Sequence, residues 1–433
     1  MSFSPKEIIK FVDENDVKFI RLTFCDVAGN LKNIAVMPNE LEHAFTYGIP
    51  FDASEFGESN SDLLLFPDIS TLSVLPWRPK SGRVVRFFCS LKYPDGRDFA
   101  GDMRNNLINY INELRLDGYS CEMGTRCEFY LFELDEKGNP TKIPHDNGGY
   151  LDVAPLDKCE NARREICLSL EEMGLNPKSS CHKHGSAQNE IEFQENEPVT
   201  AADDMVHYKT VVKSVAAQCG LFASFMPKPL PNEHGSALNI SLSIKKNGEY
   251  IFGNSPENMS HEGKCFISGI LKRIKEITIF LNPTYNSYER LSAFYAPKYI
   301  NCSFRNDSPL IRIPKTVGTP PKIELRSADA TCNPYIVFRL ILVAGIEGIK
   351  SGDCSIMDKI INCNDYEQLE KLPETITEAN DYAINSDFVK NNLPKEVIEI
   401  FEDYYDKQFT ARNLCKTSEE TEEFERRFYF NLI

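Results

Sequence analysis

The fold is decided by residues 324–335, which read Glu324-Leu325-Arg326-Ser327 and then, after a short loop, Asn333-Pro334-Tyr335. The first four residues predict a strand that carries its acidic and its basic side chain on one face, since strand side chains repeat every second residue. The asparagine before the proline is typical of a helix start, with a capping residue and then proline at the first helical position. We therefore predict a strand that leads into a long helix ending near residue 349.

Strands and long helices alternate on the N-terminal side of this stretch, back to about residue 100. Apolar side chains repeat at helical spacing from Asp102 onward. Further helices are predicted at 160–173, 202–219 and 262–281. The first part of the chain instead predicts one capped helix, starting at Ser4-Pro5, then a hairpin and two strand-rich segments. The chain is therefore expected to be an α+β protein with two domains, residues 1–100 and 101–433.

The chain has 433 residues and is strongly acidic. It carries 48 Lys and Arg against 64 Asp and Glu, a formal net charge of -16, which disfavours nucleic acid and acidic membranes as partners. The N-terminus lacks an apolar stretch behind a basic start, and the longest apolar run, 340–349, is interrupted by Glu347. We therefore expect no signal peptide, no membrane span and a cytoplasmic location.

Fourteen cysteines are present, and their spacing does not indicate a metal-binding motif. No CxxC pair occurs and no matching histidine pair follows, so a structural zinc site is not expected. Cys167, Cys219 and Cys265 lie within apolar helical patterns, where a free cysteine behaves as a small hydrophobic side chain. We predict them to be core thiols in a reducing compartment.

Three strand-like segments place ionisable side chains two residues apart, on one face of a sheet. They are 126–128, 188–192 and 324–326. Each alone fits the solvated face of a half-exposed strand, but together they favour a polar cleft. Arg290 and Arg312 lie among apolar residues, where an arginine is rarely buried without an anion. Recognition of phosphate or carboxylate and a structural ion pair are both open for these two residues.

Taken in order, these and neighbouring segments resemble type I glutamine synthetase from about residue 15 to the C-terminus. The resembling segments are 51–54, 61–68, 104–107, 226–230, 286–291, 308–314 and 324–335. The resemblance implies an N-terminal β-grasp domain and a larger catalytic domain of antiparallel sheet and helices. It also implies a homo-oligomer, a dodecamer of two stacked six-membered rings with each active site between neighbouring subunits. The implied reaction is ATP-dependent ligation of ammonia to glutamate through γ-glutamyl phosphate, with two Mg or Mn ions.

The roles of the family's residues can be carried to matching positions of this chain. Arg290 and Arg326 would hold the glutamate carboxylate, and Gly235 would line the glutamate loop. Arg312 would bind the phosphates, and Asp52 of a neighbouring subunit would deprotonate ammonium. These assignments are implied by the resemblance.

The metal-binding positions of the family are only half retained. In the family, two metals rest on five glutamates and one histidine, donors that suit Mg or Mn. The matching carboxylates are Glu128, Glu190 and Glu324, and the substituted positions are Arg126, Lys183 and Asn239. Arginine and charged lysine offer no lone pair to a metal, and an asparagine oxygen is a weak ligand. A divalent metal is therefore expected to be absent or weakly bound.

Two further departures concern phosphoryl transfer. Asp307 stands where the family has an arginine for the phosphoryl group, and the family's flap glutamate is missing from 294–297. Loss of one donor that stabilises charge in the transition state typically costs about 10²–10³ in rate. Charge at the former metal positions is nevertheless balanced. Three carboxylates with Arg126 and Lys183 leave one net negative charge, as five carboxylates with two divalent ions do, so the cluster is predicted to be adapted to lacking metal.

Two functions are consistent with these observations. The leading hypothesis is a glutamine synthetase homologue that keeps the fold and the assembly and has little or no ligase activity. It would serve as a scaffold, a sensor of a glutamate-like ligand or a partner of a true glutamine synthetase. The alternative is an active glutamate–ammonia or γ-glutamyl–amine ligase that works with a reduced metal set on the three carboxylates. ADP release that depends on metal and glutamate would separate the two.

Overall fold

The computed structural model describes residues 3–56, 62–76, 81–253, 255, 258–305, 308–315, 317–361 and 366–433. The helices are α1 Pro5–Glu14, α2 Leu41–Tyr47, α3 Met103–Leu116, α4 Glu160–Glu172, α5 Pro198–Gln218, α6 His261–Leu281, α7 Tyr285–Leu291, α8 Pro334–Ser351, α9 Ser355–Ile361, α10 Ile376–Ile384, α11 Asp387–Asn392, α12 Lys395–Asn413 and α13 Ser418–Glu425. The strands are β1 Val17–Cys25, β2 Leu31–Val36, β3 Ile49–Asp52, β4 Asp62–Pro67, β5 Ser73–Val74, β6 Arg83–Lys92, β7 Tyr119–Leu134, β8 Pro140–Pro144, β9 Pro177–His182, β10 Gln188–Phe193, β11 Leu221–Ser224, β12 Leu238–Lys246, β13 Glu249–Tyr250, β14 Cys302–Ser303, β15 Ile311–Arg312 and β16 Ile323–Leu325.

The N-terminal strands form one sheet, in the order β2-β1-β6-β4-β3 with β5 beside β6. β1 and β2 make the predicted antiparallel hairpin, and β1 runs parallel to β6. The predicted capping box of α1 is present. The Ser4 hydroxyl accepts a bond from the Glu7 amide, and the Glu7 carboxylate accepts one from the Ser4 amide. Ile8 and Val12 then lie on the buried face of α1 and join the core under this sheet.

The larger sheet has the order β14-β15-β16-β12-β7-β10-β9, with β8 and β11 beside β7 and β13 beside β12. Its described strand pairs are antiparallel apart from β14 with β15. The predicted α+β architecture is confirmed. The helix predicted from residue 202 starts earlier, at Pro198, because the Glu197 carboxylate caps it and proline takes the first helical position.

The start of α8 ties the two sheets together. The side-chain oxygen of Asn333 caps α8, as predicted, by accepting a 3.0 Å hydrogen bond from the Tyr335 amide. Its amide nitrogen donates to the carbonyls of Asp26 and Val27 in the N-terminal hairpin, at 3.0 and 3.2 Å. Gly29 of that hairpin approaches so closely that a Cβ there would lie 3.1 Å from the Asn333 Cα. The hairpin turn is therefore seated on the helix start.

Buried ion pairs form a second junction between the sheets. Arg104 of α3 donates to Asp68, at 3.0 Å, and to Asp203 of α5, at 2.8 Å. The Tyr335 hydroxyl donates to the other oxygen of Asp203 at 2.6 Å. Burial, and then repulsion by Asp203, raise the pKa of the neighbouring Asp204 to about 7. The junction thus holds one carboxyl that is partly protonated near neutral pH.

Every helix of the described ranges is too short or too polar to cross a lipid bilayer. The cysteines in the same ranges are free thiols. Cys265 is buried and Cys167 half-buried, but the prediction of a core thiol is wrong for Cys219, which is exposed. The reason is that Cys219 forms the C-cap of α5, one residue beyond the end of that helix.

Candidate functional site

Strands of the larger sheet gather the charged segments that the sequence singled out. Glu190 on β10 lies opposite Glu128 on β7, and Asn239 on β12 lies opposite Arg126 on the other side of β7. Strand β16 pairs with the far edge of β12 and carries Glu324. The three carboxylate residues are each 7% exposed. Buried carboxylates of this kind require cations or hydrogen-bond donors.

Two cations lie between these three carboxylates. The Arg126 guanidinium donates to Glu324 at 2.9 Å, and its Nε lies 3.5 Å from a Glu190 oxygen. The Lys183 ammonium lies 3.2 Å from Glu128 and 3.1 Å from Glu190. We call these five residues the cation cluster. Both cations lie within salt-bridge distance of a carboxylate, as the charge count predicts.

The backbone of Lys183 is held in place by hydrogen bonds on both sides. It follows His182, the last residue of β9, whose buried ring has Nε2 3.0 Å from an Asp146 oxygen and Nδ1 2.8 Å from the Lys183 carbonyl. The Lys183 amide donates to the Gln188 carbonyl at 2.7 Å, which closes the loop into β10. The lysine backbone is therefore fixed on both sides, and its side chain reaches the cluster from a defined point.

The pKa values in the cluster show how charge and burial balance. Burial lowers the pKa of Lys183, but attraction by Glu128 and Glu190 outweighs it, so this pKa lies above its ordinary value. Burial likewise opposes the charge of Arg126, and Glu324 and Glu190 raise its pKa overall. Burial and the nearby Glu128 raise the pKa of Glu190, and the two cations offset only part of that rise. Both cations therefore stay charged at neutral pH.

Neutral donors complete the surroundings of Glu128. Its Oε2 accepts a 2.8 Å bond from the Ala237 amide and a 3.4 Å bond from the Gln188 side chain. The same Gln188 amide donates to the Gly235 carbonyl at 3.0 Å, so the loop that holds Gly235 is tied to the cluster. The sequence predicted that segment 188–192 belongs to the site, but it did not predict that Gln188 links Glu128 to the Gly235 loop. The reason is that the charge pattern of the segment singles out its glutamates.

Arg290, predicted to hold a substrate carboxylate, is 2% exposed. Its guanidinium donates to the Asn282 side chain at 3.0 Å and to the Ser327 carbonyl, and its Nε lies 3.9 Å from Asp329. Burial lowers the pKa of Arg290 and raises the pKa of Asp329. A Cβ on Gly235 would lie 2.4 Å from the Arg290 Cγ, so glycine is needed there. Arg290 thus braces the chain segments around the site from inside.

Arg312 and Arg326 lie at the side of the cluster nearest Glu324. Arg312 of β15 is paired with Glu324 of β16, and the Arg326 Nε lies 3.6 Å from a Glu324 oxygen. Burial lowers the pKa of Arg326; Glu324 opposes this, while Arg126 and Arg312 add repulsion. The guanidinium groups of Arg126 and Arg326 therefore both lie within salt-bridge distance of the Glu324 carboxylate, and Arg312 is its strand neighbour.

Two further residues that the sequence analysis selected, Asp52 and Asp307, are not among the residues described at the cation cluster. Asp52 ends β3 on the N-terminal sheet, opposite Asp62, and its carboxylate accepts a 2.9 Å bond from the Ser54 amide. This bond lowers the pKa of Asp52. Both neighbours belong to the N-terminal part of the chain, so the contacts described for Asp52 do not place it at the cation cluster. Asp307, predicted to replace a phosphoryl-binding arginine, lies outside the described residues.

Sequence reasoning missed a group of aromatic and histidine rings beside the cluster, which we call the aromatic rim. The rings of Tyr150 and His184 stack at 4.4 Å, His184 lies 5.0 Å from His234, and His234 stacks on Tyr295 at 5.5 Å. Burial is the main reason why the pKa values of both histidines are lowered. The Lys183 ammonium lies 5.6 Å from the Tyr150 ring centre, so the rim adjoins the cluster.

The aromatic rim includes residues of the segment 294–297, from which the family's flap glutamate is predicted to be missing. Tyr295 has φ of 60°, uncommon for a residue with a side chain, and Phe294 packs 5.5 Å from His234. Both side chains are about two-thirds exposed, at 65% and 66%. The only sequence signal was adjacency, since His184 follows Lys183 and His234 precedes Gly235. The segment thus adds two exposed rings to the histidines of the rim.

Comparisons with known proteins cover almost the whole chain. The family model "Glutamine synthetase, beta-Grasp domain" matches residues 16–94, and "Glutamine synthetase, catalytic domain" matches residues 100–429. A glutamine synthetase of Methanosarcina mazei is 41% identical over 409 residues, 91% of each protein. One of Clostridium saccharobutylicum is 38% identical over 409 residues, 91% of this chain and 92% of its own. A solved structure of Plasmodium falciparum glutamine synthetase, 22% identical, shares the fold with a TM-score of 0.85 over 99% of both chains.

Proposed function

The chain belongs to the glutamine synthetase family, and on that premise we propose a homologue in which the ligase reaction is lost or strongly reduced. Membership implies ATP and a divalent metal for the reaction of the family. The observation that carries the proposal is the position of Arg126 and Lys183 among three buried carboxylates. At corresponding positions, the family pattern has metal ligands.

The donor set does not fit a two-metal centre. The carboxylates of Glu128 and Glu190 already share the Lys183 ammonium, at 3.2 and 3.1 Å. A divalent ion about 4 Å from that ammonium would be repelled by about 8 kcal/mol at an effective dielectric constant of ~20. Arg126 occupies the third carboxylate, Glu324, at 2.9 Å. We therefore derive no phosphoryl transfer through a metal at this cluster.

Recognition of an anion is the activity that the remaining groups support best. Arg312 is the strand partner of Glu324, and the Arg326 Nε lies 3.6 Å from a Glu324 oxygen, so two arginines lie on the strands around this carboxylate. A glutamate-like ligand could offer its carboxylate to them, since guanidinium binds carboxylate through paired hydrogen bonds. The proposal is thus a sensor, a scaffold or a partner of an active glutamine synthetase. Arg290 would serve it indirectly, by bracing the Gly235 loop.

The assembly is proposed by family membership. A dodecamer of two six-membered rings would bring Asp52 of one subunit toward the cation cluster of the next. Free thiols throughout the described residues support the proposal of a reducing, cytoplasmic compartment.

The alternative is an active ligase with a reduced metal set. It is favoured by relatives named glutamine synthetase at 38% and 41% identity, over nine-tenths of the chain. It would require a metal to displace Lys183 or Arg126 from the carboxylates. The resulting enzyme would use ammonia or another small amine.

A coupled assay of ADP release decides between these functions. The protein is incubated with ATP, Mg or Mn, glutamate and either ammonium or methylamine, with the Methanosarcina mazei relative as a parallel sample. We expect no ADP release above a sample without glutamate. Release that needs metal, glutamate and amine together would establish the alternative.

A further inference from the structure

A second group of metal-ligating side chains lies where α6 meets α9, outside the cation cluster. His261 is the first residue of α6, and Cys265 follows one turn later on the same face. Cys354 directly precedes α9, and Asp358 follows one turn later. We call these four residues the thiol cluster. Two pairs with a spacing of four residues therefore face each other across a helix contact.

In the thiol cluster the two sulfurs lie against different nitrogens of one histidine ring, and only one of these nitrogens can bind a given ion. The His261 Nε2 lies 3.5 Å from the Cys265 sulfur, and its Nδ1 lies 3.8 Å from the Cys354 sulfur. The Cys354 sulfur lies 3.3 Å from an Asp358 oxygen. One ligand atom each of the histidine and the two cysteines all lie within 4.8 Å of one another. Tetrahedral zinc, with bonds of about 2.0–2.3 Å, separates its ligand atoms by about 3.5–3.8 Å.

Packed backbone holds Cys265 in position. A Cβ on Gly348 of α8 would lie 2.1 Å from the Cys265 carbonyl oxygen, so α6 and α8 are in direct backbone contact at this residue. Cys265 itself is buried, at 1% exposure. A ligand on such a contact cannot be displaced without moving two helices.

The turn after α8 brings Cys354 to the same place. Gly352 ends α8 with φ of 67°, a left-handed conformation that suits glycine and reverses the chain. The Met357 amide of α9 then donates to the Ser268 hydroxyl of α6 at 3.2 Å, which anchors α9 beside α6. Both sulfurs are therefore placed by structure that does not depend on a bound ion.

We propose that His261, Cys265 and Cys354 bind one Zn²⁺, with Asp358 or a water molecule as the fourth ligand. Two thiolates and an imidazole are the donors that zinc takes in structural sites, whereas Mg and Ca take oxygen. The two thiols give up their protons to solvent as the Zn–S bonds form. His261 is exposed and Cys354 half-buried, so an ion can enter from the surface. The ion would clip the start of α6 to α9.

The sequence prediction of no zinc site rested on the missing CxxC motif. The signal that was present is a pair of spacings, His-x-x-x-Cys at 261–265 and Cys-x-x-x-Asp at 354–358. Each spacing sets two donors on one helical face, but nothing in the sequence says that the two faces meet.

Cobalt spectroscopy of the full chain tests the proposal. Protein reduced with a phosphine and freed of metal by a chelator is titrated with Co²⁺, and the ion is then displaced by Zn²⁺. We expect one Co²⁺ per chain, with visible ligand-field bands of a tetrahedral site and a thiolate-to-cobalt charge-transfer band. Cys354→Ser should remove much of that band, and His261→Asn should weaken Co²⁺ binding by at least about tenfold.

Control variants keep the result interpretable. Cys219→Ser, at an exposed cysteine outside the cluster, should leave the spectrum unchanged. Because Cys265 is buried and its substitution can disturb folding, Cys354→Ser and His261→Asn carry the decision. A reduced wild-type protein without a charge-transfer band, or the same band in Cys354→Ser, overturns the proposal. So does a disulfide between Cys265 and Cys354 in protein purified under reducing conditions, since it would occupy both sulfurs.

Discussion

The ammonium of Lys183 lies 3.2 Å from a carboxylate oxygen of Glu128, a residue 55 positions earlier on the central strand of the larger sheet. The lysine side chain is 15% exposed and that of the glutamate 10%. A pair this deeply buried stabilises little on its own, but removal of one member leaves an uncompensated charge. Stability, metal binding and ligand recognition at this site should therefore all depend on the same contact.

The double variant Arg126→Ala with Lys183→Ala should lower the free energy of unfolding by about 3–5 kcal/mol, because it leaves the buried carboxylates of Glu128 and Glu190 without a cation and Glu324 with Arg326 alone. Guanidinium denaturation at neutral pH measures the change. Lys395→Ala, which breaks an exposed pair with Glu399, serves as the control and should leave the unfolding midpoint nearly unchanged. Equal midpoints for the double variant and the wild type would contradict the counter-ion role.

Metal binding should return when the substituted positions are reverted together. Arg126→Glu, Lys183→Glu and Asn239→His would supply five carboxylates and an imidazole, the donors that Mn takes. Electron paramagnetic resonance of added Mn should show bound ion in this triple variant and free ion in the wild type. A matched variant with Arg126→Gln and Lys183→Gln removes the cations without adding ligands and should bind less Mn. Tight Mn binding by the unmodified protein would revive the ligase with a reduced metal set.

We expect the protein to bind a glutamate-like ligand more tightly than a nucleotide. Arg326 can pair with a carboxylate, whereas Asp307 would oppose a phosphoryl group by charge. Calorimetry should detect glutamate, and Arg326→Gln should weaken it by at least about tenfold, the cost of a lost charge-assisted pair. Arg164→Gln, at an exposed position, should have no effect. Tight binding of Mg-ATP together with no binding of glutamate would contradict this prediction.

Light scattering at micromolar concentration should report a ring-based oligomer of about twelve subunits, by analogy with the family. Asp52→Asn should keep this mass, because the proposed role of Asp52 is chemical and its exposed side chain makes its described bond within its own turn. A monomeric mass for the wild type would rule out the shared site.

Asp204 should make stability depend on pH. Its pKa is raised to about 7, so the folded state holds the proton more tightly than the unfolded state does. The resulting contribution to stability is complete below about pH 4 and is lost as the pH rises through 7. Asp204→Asn cannot ionise and should therefore be more stable than the wild type above pH 7, by about 2–4 kcal/mol, and equal to it near pH 4.

Denaturation curves across this pH range check the prediction for Asp204. Asp406→Asn, at an exposed position of α12, provides the comparison and should not change the pH profile. Parallel profiles for Asp204→Asn and the wild type would show that the carboxyl does not titrate as described.

Local signals in the sequence predicted much of the fold. Ser4 and Asn333 could be predicted as helix caps because each is followed by proline and then by helical apolar spacing. The two-residue spacing of Arg126 and Glu128 placed both on the strand face that meets Glu190. Such signals depend on only a few neighbouring residues, so they can be recognised without knowing how the rest of the chain folds.

Features that depend on distant packing could not be predicted in this way. The aromatic rim joins Tyr150 to His184, His234 and Tyr295, and the rings meet only after several strands have paired. The internal hydrogen bonds of Arg290 to Asn282 and Ser327 could not be predicted either. An arginine in an apolar sequence pattern is consistent both with a residue that binds a ligand and with one that braces the interior. The thiol cluster needs the contact between α6 and α9.

The cation cluster also constrains how this site can change over evolutionary time. Reverting Arg126 to glutamate alone would remove a cation and add a fourth carboxylate, a change of two charges among buried groups. Reverting Lys183 alone would do the same beside Glu128 and Glu190. Each single step back toward a metal site therefore lowers stability before any metal can be bound. Under the proposed function, a lineage that has acquired both cations faces a mutational barrier to regaining metal ligands one at a time.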